Sequence, residues 1–365
     1  MSALPESEIL LLGPGPSLVS PRVRAALSAP SRSHLDPEFM AVLDDVRATL
    51  ARIFGAPAGS IAAPISGTGT AGMEAVVANL AEPGKRALVI VTGYFGDRLA
   101  QMFERYGATV ERVNVEWGRA AEPARVADAL AKAQSHYDLV AAVHVETSTG
   151  VVNPIREVAA LAHEHDALMI VDAVTSVGAM PFDAKADGVD ACYTCSQKGL
   201  GAPSGLAPVL FTPRALARKV KCRSFYFDLD LLDAYWSGRR YHHTMSAPLL
   251  WALHAALVEV ETEGLGVRHE RHLANHRLLA IGLEAMGWSL LPSPNDRAWS
   301  LNAVNVPQGV DDAAVRKRLL AEKRIEIGAG LGPLAGKIFR VGLMGAGSTE
   351  ANVDLVLSAL DEASR

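Results

Sequence analysis

The chain has 365 residues, 49% of them hydrophobic, and its 40 acidic and 35 basic residues leave a net charge of −5. That balance argues against a nucleic-acid partner, which needs a basic face, and with only 6% aromatic residues no base-stacking platform stands out. The length predicts two domains, or one large α/β unit with an appended lobe.

Three cysteines, Cys192, Cys195 and Cys222, do not make a disulfide framework. Cys192 and Cys195 form a C-x-x-C. Residues three apart on a strand face opposite sides, and no second pair lies at zinc spacing, so core packing is expected of them. The opening residues 1–6 are acidic and short, and 9–12 are too brief for the apolar part of a secretory signal. No apolar run reaches membrane-spanning length. A cytoplasmic protein with no membrane partner is expected.

In chain order, Gly13-Pro-Gly-Pro16 is a rigid, non-helical turn. Pro21 opens a helix over 22–27, and Asp36-Pro37 starts another with Phe39, Val42, Leu43, Val46 and Leu50 at helical spacing. This opening region is equally readable as an arm packing on a neighbour or as a substrate contact. Residues 61–65 form a feeble strand because of Pro64. A regular alternation follows: helix 73–80, strand 87–91, helix 98–106, strand 109–113, helix 123–133, strand 139–145, helix 155–165, strands 168–171 and 191–195. Such alternation predicts an α/β fold with a mostly parallel sheet flanked by helices, whose ligands bind at the carboxyl ends of the strands. Residues 223–247 read as irregular. Helices at 248–261 and 267–286 lead to strands 300–306, 324–327 and 339–341 and helices 311–322 and 349–363. The expected division is an arm (1–15), a large domain (16–257) and a smaller C-terminal α+β domain (258–365).

Chemistry concentrates at three places. Lys198 follows the apolar run 191–195 and precedes a glycine-rich turn. A lysine there is either a strand cap reaching solvent or a desolvated amine ready to form a Schiff base. Asp172 ends the apolar strand 168–171, where a carboxylate needs a partner or caps the next turn. One turn and one strand separate the two, so both fall at the same sheet edge. Gly67-x-Gly69-x-x-Gly72 matches a dinucleotide fingerprint, but Thr92 stands where a ribose-binding acid is wanted. What survives is a helix start whose amides, with Thr68 and Thr70, can surround a phosphate; a ligand-free turn is the alternative. Carboxylate, lysine and phosphate cradle together are what a pyridoxal phosphate pocket requires. His269, His272 and His276 lack metal spacing and read as a solvated helix face, and no metal site is expected.

Ser66-Gly-Thr-Gly-Thr70, Gly93-Tyr-Phe-Gly96, His144-Val-Glu-Thr-Ser-Thr-Gly150, Val171-Asp-Ala-Val174, Ser196-Gln-Lys198, Tyr241-His-His-Thr244 and the segment from Phe339 to Gly345 are jointly specific. With them the chain resembles the class V aminotransferases of pyridoxal phosphate fold type I, most nearly the alanine–glyoxylate/serine–pyruvate group, over almost its whole length. The resemblance implies Lys198 as the Schiff-base lysine and Asp172 as the partner of the pyridine nitrogen. It puts Phe95 and Val174 on the two ring faces, Thr147 at the ring hydroxyl, and Thr68, Gly69, Thr70 and Gln197 at the phosphate. Tyr241 and Thr244 would reach that phosphate from a second subunit, making a homodimer with shared sites. Arg340 would grip the substrate carboxylate, with Gly15 and Tyr94 beside it. Thr70, where animal relatives carry histidine, and Ser204, which interrupts a Pro-Pro-Gly, leave the amino donor open. Alanine or serine to glyoxylate or pyruvate is the implied reaction. Aspartate or 2-aminoethylphosphonate donors, a silent pyridoxal phosphate scaffold and an NAD-binding oxidoreductase are the alternatives.

Overall fold

The computed structural model describes residues 8–364. Its centre is a seven-stranded sheet. In chain order its strands are β2 (Ile61–Ser66), β3 (Arg86–Val91), β4 (Thr109–Asn114), β5 (Leu139–Val143), β8 (Leu168–Asp172), β9 (Ala191–Tyr193) and β10 (Leu206–Phe211). They lie side by side in the order β2-β10-β9-β8-β5-β3-β4, parallel from β9 through β4, with β10 reversed against both neighbours. Since β2 is antiparallel to β10, it points the same way as the parallel set. The carboxyl ends of β2, β3, β5, β8 and β9 therefore share one edge. β5 and β8 are buried along their whole lengths, as strands covered on both faces must be. Each fully buried Val, Leu or Ile contributes about 1.5–3 kcal/mol.

Around this sheet pack α1 (Pro21–Leu27), α2 (Pro37–Ile53), α3 (Gly69–Leu80), α4 (Tyr94–Arg105), α5 (Pro123–Ala131), α6 (Ile155–Glu164), α7 (Pro213–Ala217), α8 (Leu229–Trp236) and α9 (Ala247–Glu263). Proline opens several of them, where the missing N–H costs nothing; Ser20 and Asp36 cap the first two with their side chains. A small hairpin, β6 (Val145–Glu146) and β7 (Val151–Val152), follows β5. The long α10 (Leu265–Ala285) leads to a three-stranded antiparallel sheet of β11 (Leu301–Asn305), β13 (Gly328–Ala329) and β14 (Ile338–Gly342), with α11 (Asp312–Arg318) and α12 (Glu350–Ser364). β1 (Leu10–Leu11) pairs in parallel with β12 (Ile325–Glu326), and Leu12 is buried in the apolar cluster of these C-terminal elements.

Several local expectations are corrected. The strand at 61–65 is a full edge strand. Pro64 faces Pro208 across the ladder, and the Pro208 carbonyl accepts from Thr194 on the β9 side. The pair is thus a non-hydrogen-bonded one, and Pro64 removes no bond from the β2–β10 ladder. The stretch 223–247 contains α8, capped by Asp228, with Leu229, Leu232, Tyr235 and Trp236 buried. The reading of 139–145 as one strand breaks at His144. The histidine face of α10 is not solvated: His272 and His276 are buried, His276 against Asn302. Among the described residues no helix is long and apolar enough to cross a membrane.

Candidate active site

Asp172 is the last residue of β8 and lies beside Tyr193, the last residue of β9. The Tyr193 hydroxyl donates to Oδ2 at 2.9 Å and the Val174 amide donates to Oδ1 at 2.9 Å. Burial pushes the carboxyl up to about 6, against the pull of these two bonds. Five residues past β9, Lys198 is 9% exposed, and burial lowers its ammonium from the ordinary value. The backbone beneath it is pinned from the N-terminal segment: Ser17 donates through its amide to the Gln197 carbonyl (2.8 Å) and through its hydroxyl to the Lys198 carbonyl (2.9 Å). Gly15, at φ +120°, is required where it stands, since a Cβ there would lie 2.7 Å from Lys198 Cε.

Opposite the lysine, α3 begins at Gly69. Thr68 is its N-cap residue, yet its side chain makes no capping bond, so the hydroxyl and the first amides of α3 are available to an anion. Val174 and Cys195 close against Gly69 so tightly that a Cβ there would sit 3.2–3.3 Å from them. From the end of β3, α4 brings Phe95 to the cleft and Arg98 one turn later. The Arg98 guanidinium lies 5.0 Å from the ring centres of both Tyr94 and Phe95 and donates to Thr70 Oγ1 at 3.4 Å. Glu146, at the end of β6, is wholly buried and accepts from the start of α4. Thr147 shares a 2.5 Å hydrogen bond with Thr175, between hydroxyls. Arg340, on β14, donates to the Ala329 carbonyl (2.7 Å) and the Thr147 carbonyl (3.3 Å). Burial lowers it to about 10, with Glu146 and Glu326 holding its charge.

These groups line one cleft of about 330 Å³. It brings together Gly15, Thr68, Gly69, Thr70, Phe95, Thr147, Asp172, Val174, Gln197, Lys198 and Arg340, all singled out from the sequence. Three others are not in its wall: Tyr94 is exposed next to Phe95, and Tyr241 (65% exposed) and Thr244 are exposed and do not line the cleft. Sequence reasoning missed Arg98, Tyr193, Glu146 and Arg268, whose buried guanidinium holds the Gly178 and Gly199 carbonyls from α10. Only Glu146 had a signal, an acid inside an otherwise small and apolar stretch. The glycine fingerprint follows an edge strand antiparallel to its only neighbour in the sheet, not the parallel βαβ unit that a dinucleotide occupies.

A solved structure of an alanine–glyoxylate aminotransferase from Nostoc sp. superposes with a TM-score of 0.96 at 42% identity, covering 100% of this chain and 97% of that one. A ureidoglycine–glyoxylate aminotransferase from Bacillus subtilis superposes with a TM-score of 0.95 at 37% identity, covering 99% and 94%. The fold is that of the fold type I pyridoxal phosphate aminotransferases. A family model, Aminotransferase class-V, matches residues 22–355, and an alanine–glyoxylate aminotransferase of Drosophila melanogaster is 38% identical over 97% of this chain and 91% of its own length. The chain belongs to the class V aminotransferases and is a pyridoxal-phosphate-dependent transaminase. The residues present fit that cofactor: besides the buried acid and amine, the Thr68 hydroxyl and the first amides of α3 at the cleft wall are uncommitted donors.

Proposed function

We propose that this transaminase moves the amino group of a small amino acid, alanine or serine, to glyoxylate or pyruvate. The observation that carries the reading is the pairing of Asp172 and Lys198 on one sheet edge with Arg340 facing them across a small cleft. Relatives at 36–42% identity are named for glyoxylate as substrate. Pro14, Gly15, Pro16 and Leu331 belong to the wall of the same cleft, which suits a short, uncharged side chain. The other guanidinium of the cleft, Arg98, is turned to Thr70 and two aromatic rings.

When bound, the cofactor supplies an electron sink for the pair left on the substrate α-carbon. Lys198 would hold the cofactor covalently, and its Nζ, once freed by the donor's amine, is placed to take a proton as base and give it back as acid. Burial lowers its proton affinity in the direction this task needs. Asp172 would hold the ring nitrogen, Phe95 and Val174 would flank the ring, Thr147 would meet its hydroxyl, and Thr68, Gly69, Thr70 and Gln197 would hold the phosphate. Arg340 binds the substrate carboxylate through its planar fork, with Gly15 and Tyr94 bordering the substrate. Tyr241 and Thr244 complete the phosphate site of a partner subunit in a cytoplasmic homodimer. Residues 16–257 form the cofactor domain, 258–365 the smaller one, and 1–15 an arm.

Amino donors screened against glyoxylate and pyruvate, following the visible band, test this. Alanine or serine should convert fastest, and borohydride reduction should fix the cofactor to Lys198. Preference for aspartate or 2-aminoethylphosphonate would overturn the substrate assignment, and a reduced cofactor on another lysine would overturn the site.

A further inference from the structure

We infer that Glu146 is a positioning residue of this site: its carboxylate fixes the start of α4, so that Phe95 walls the cleft, and its charge offsets the cations Lys198 and Arg340. The inference rests on the reading that Lys198 carries the cofactor and Phe95 lies against it.

Glu146 is 0% exposed, and a buried carboxylate persists only where donors surround it. Here there are four. Oε1 accepts from the Ser148 amide (3.0 Å), the Ser148 hydroxyl (2.6 Å) and the Phe95 amide (3.3 Å), and Oε2 accepts from the Gly96 amide (3.1 Å). The Tyr94 amide donates to Ser148 Oγ at 2.9 Å. The first three amides of α4 thus find their partners not in a local cap, since the N-cap residue is Gly93, but about fifty residues away on the β6 hairpin. Gly93 is part of the arrangement: a Cβ there would lie 2.3 Å from Ser148 Oγ and 2.5 Å from Glu146 Cγ.

A serine or aspartate at position 93 would satisfy such amides locally. Reaching across the fold with an acid instead puts a negative charge among the groups of the cleft. Glu146 favours the charged forms of Lys198 and Arg340 and disfavours ionised Asp172. The other ionisable groups acting on Lys198 are Cys195, Asp172 and Arg340, and Glu146 also acts on Tyr193. Thr147, the next residue, offers its carbonyl to Arg340. A single turn of chain therefore joins the ring wall, the lysine and the carboxylate-binding arginine.

Glu146→Gln loses the charge and exchanges one of the two accepting oxygens for an NH2 group; Glu146→Ala loses both acceptors. Each is compared with the wild-type protein, stripped and reloaded with pyridoxal phosphate. The readouts are the cofactor affinity of the stripped forms, the pH midpoint of the visible band of the loaded forms, and circular dichroism. Removing a negative charge makes the proton near Lys198 leave at lower pH, so Glu146→Gln should lower the midpoint. Glu146→Ala should in addition weaken cofactor binding by about tenfold through its stranded amides. A wild-type midpoint in Glu146→Gln overturns the inference, as does wild-type affinity in Glu146→Ala. Should the alanine variant not fold, the glutamine variant decides alone. A wild-type protein that takes up no cofactor on Lys198 would instead sink the functional reading, before either variant is compared.

Discussion

Asp172 carries a proton affinity that belongs to its place and not to its chemistry. Its ordinary value is 3.8, and burial moves it to about 6. Between those values the native chain holds a proton that the unfolded chain has released. The stability of the cofactor-free protein therefore falls as pH rises through that window. Asp172→Asn removes the ionisable group, so the variant should lose this slope and be more stable than the wild type at neutral pH by up to about 3 kcal/mol. Transamination by the same variant should fall by about a hundredfold or more for want of an acid at the ring nitrogen. Urea melts of both cofactor-free proteins at acid and neutral pH check the first part; parallel pH dependences would show that the carboxyl is not perturbed in this way. Lys198 displays the same physics with the opposite sign, since burial there disfavours the cation. Both residues are legible in the chain because each ends a short apolar run with a charge. Arg98 and Arg268 are not, because nothing in their neighbours tells a stacked or buried guanidinium from a solvated one.

At the scale of elements, the start of α4 shows how far a local pattern reaches. Helical spacing predicts the helix from residue 98; it begins at Tyr94. The missing turn has glycine in the N-cap position and no local cap, and is held by Glu146 and Ser148. Gly93 has φ 173°, extended backbone that alanine also adopts. Gly93→Ala should therefore act only through its methyl group, which meets Ser148 Oγ at 2.3 Å. Overpacking of that kind costs about 1–3 kcal/mol, and the displaced helix start should weaken cofactor binding as well. Urea melts with and without pyridoxal phosphate measure both; a neutral substitution would mean that the hairpin yields freely. The inward face of α10 went unread for a related reason, although the helix itself was expected at 267–286. Its polar residues His272, His276 and Arg268 are turned inward, onto the Gly345 amide, the Asn302 side chain and the Gly178 and Gly199 carbonyls. A helix that buries polar groups against turns has no apolar stripe to tell which face is covered.

In the whole molecule the cleft is assembled from residues as distant as Pro14 and Arg340, while Tyr241 and Thr244 stand exposed, as does Phe225 (72% exposed), whose other face stacks on His242. Aromatic side chains left open in this way suit a second copy of the chain. If each site borrows from its partner, Lys198→Ala and Tyr241→Ala proteins, each impaired alone, should regain activity when unfolded and refolded together. One intact site per mixed dimer gives about a quarter of the wild-type rate in an equal mixture. No recovery, or a monomer in sedimentation, would refute the shared site. The alternation of buried strands with helices, the small residues opening α3, the charge of Asp172 at a strand end and that of Lys198 in the turn beyond the next strand were all written in nearest neighbours, because burial period, turn preference and helix capping act over a few residues. Which strand lies beside which was not. β8 lies beside β9, which brings Tyr193 to Asp172; β3 lies beside β5, which brings Phe95 to Glu146; and the C-terminal sheet packs so that Arg340 reaches the Thr147 carbonyl. Contacts spanning about twenty to two hundred residues depend on how the layers close, and no short stretch of chain carries that information.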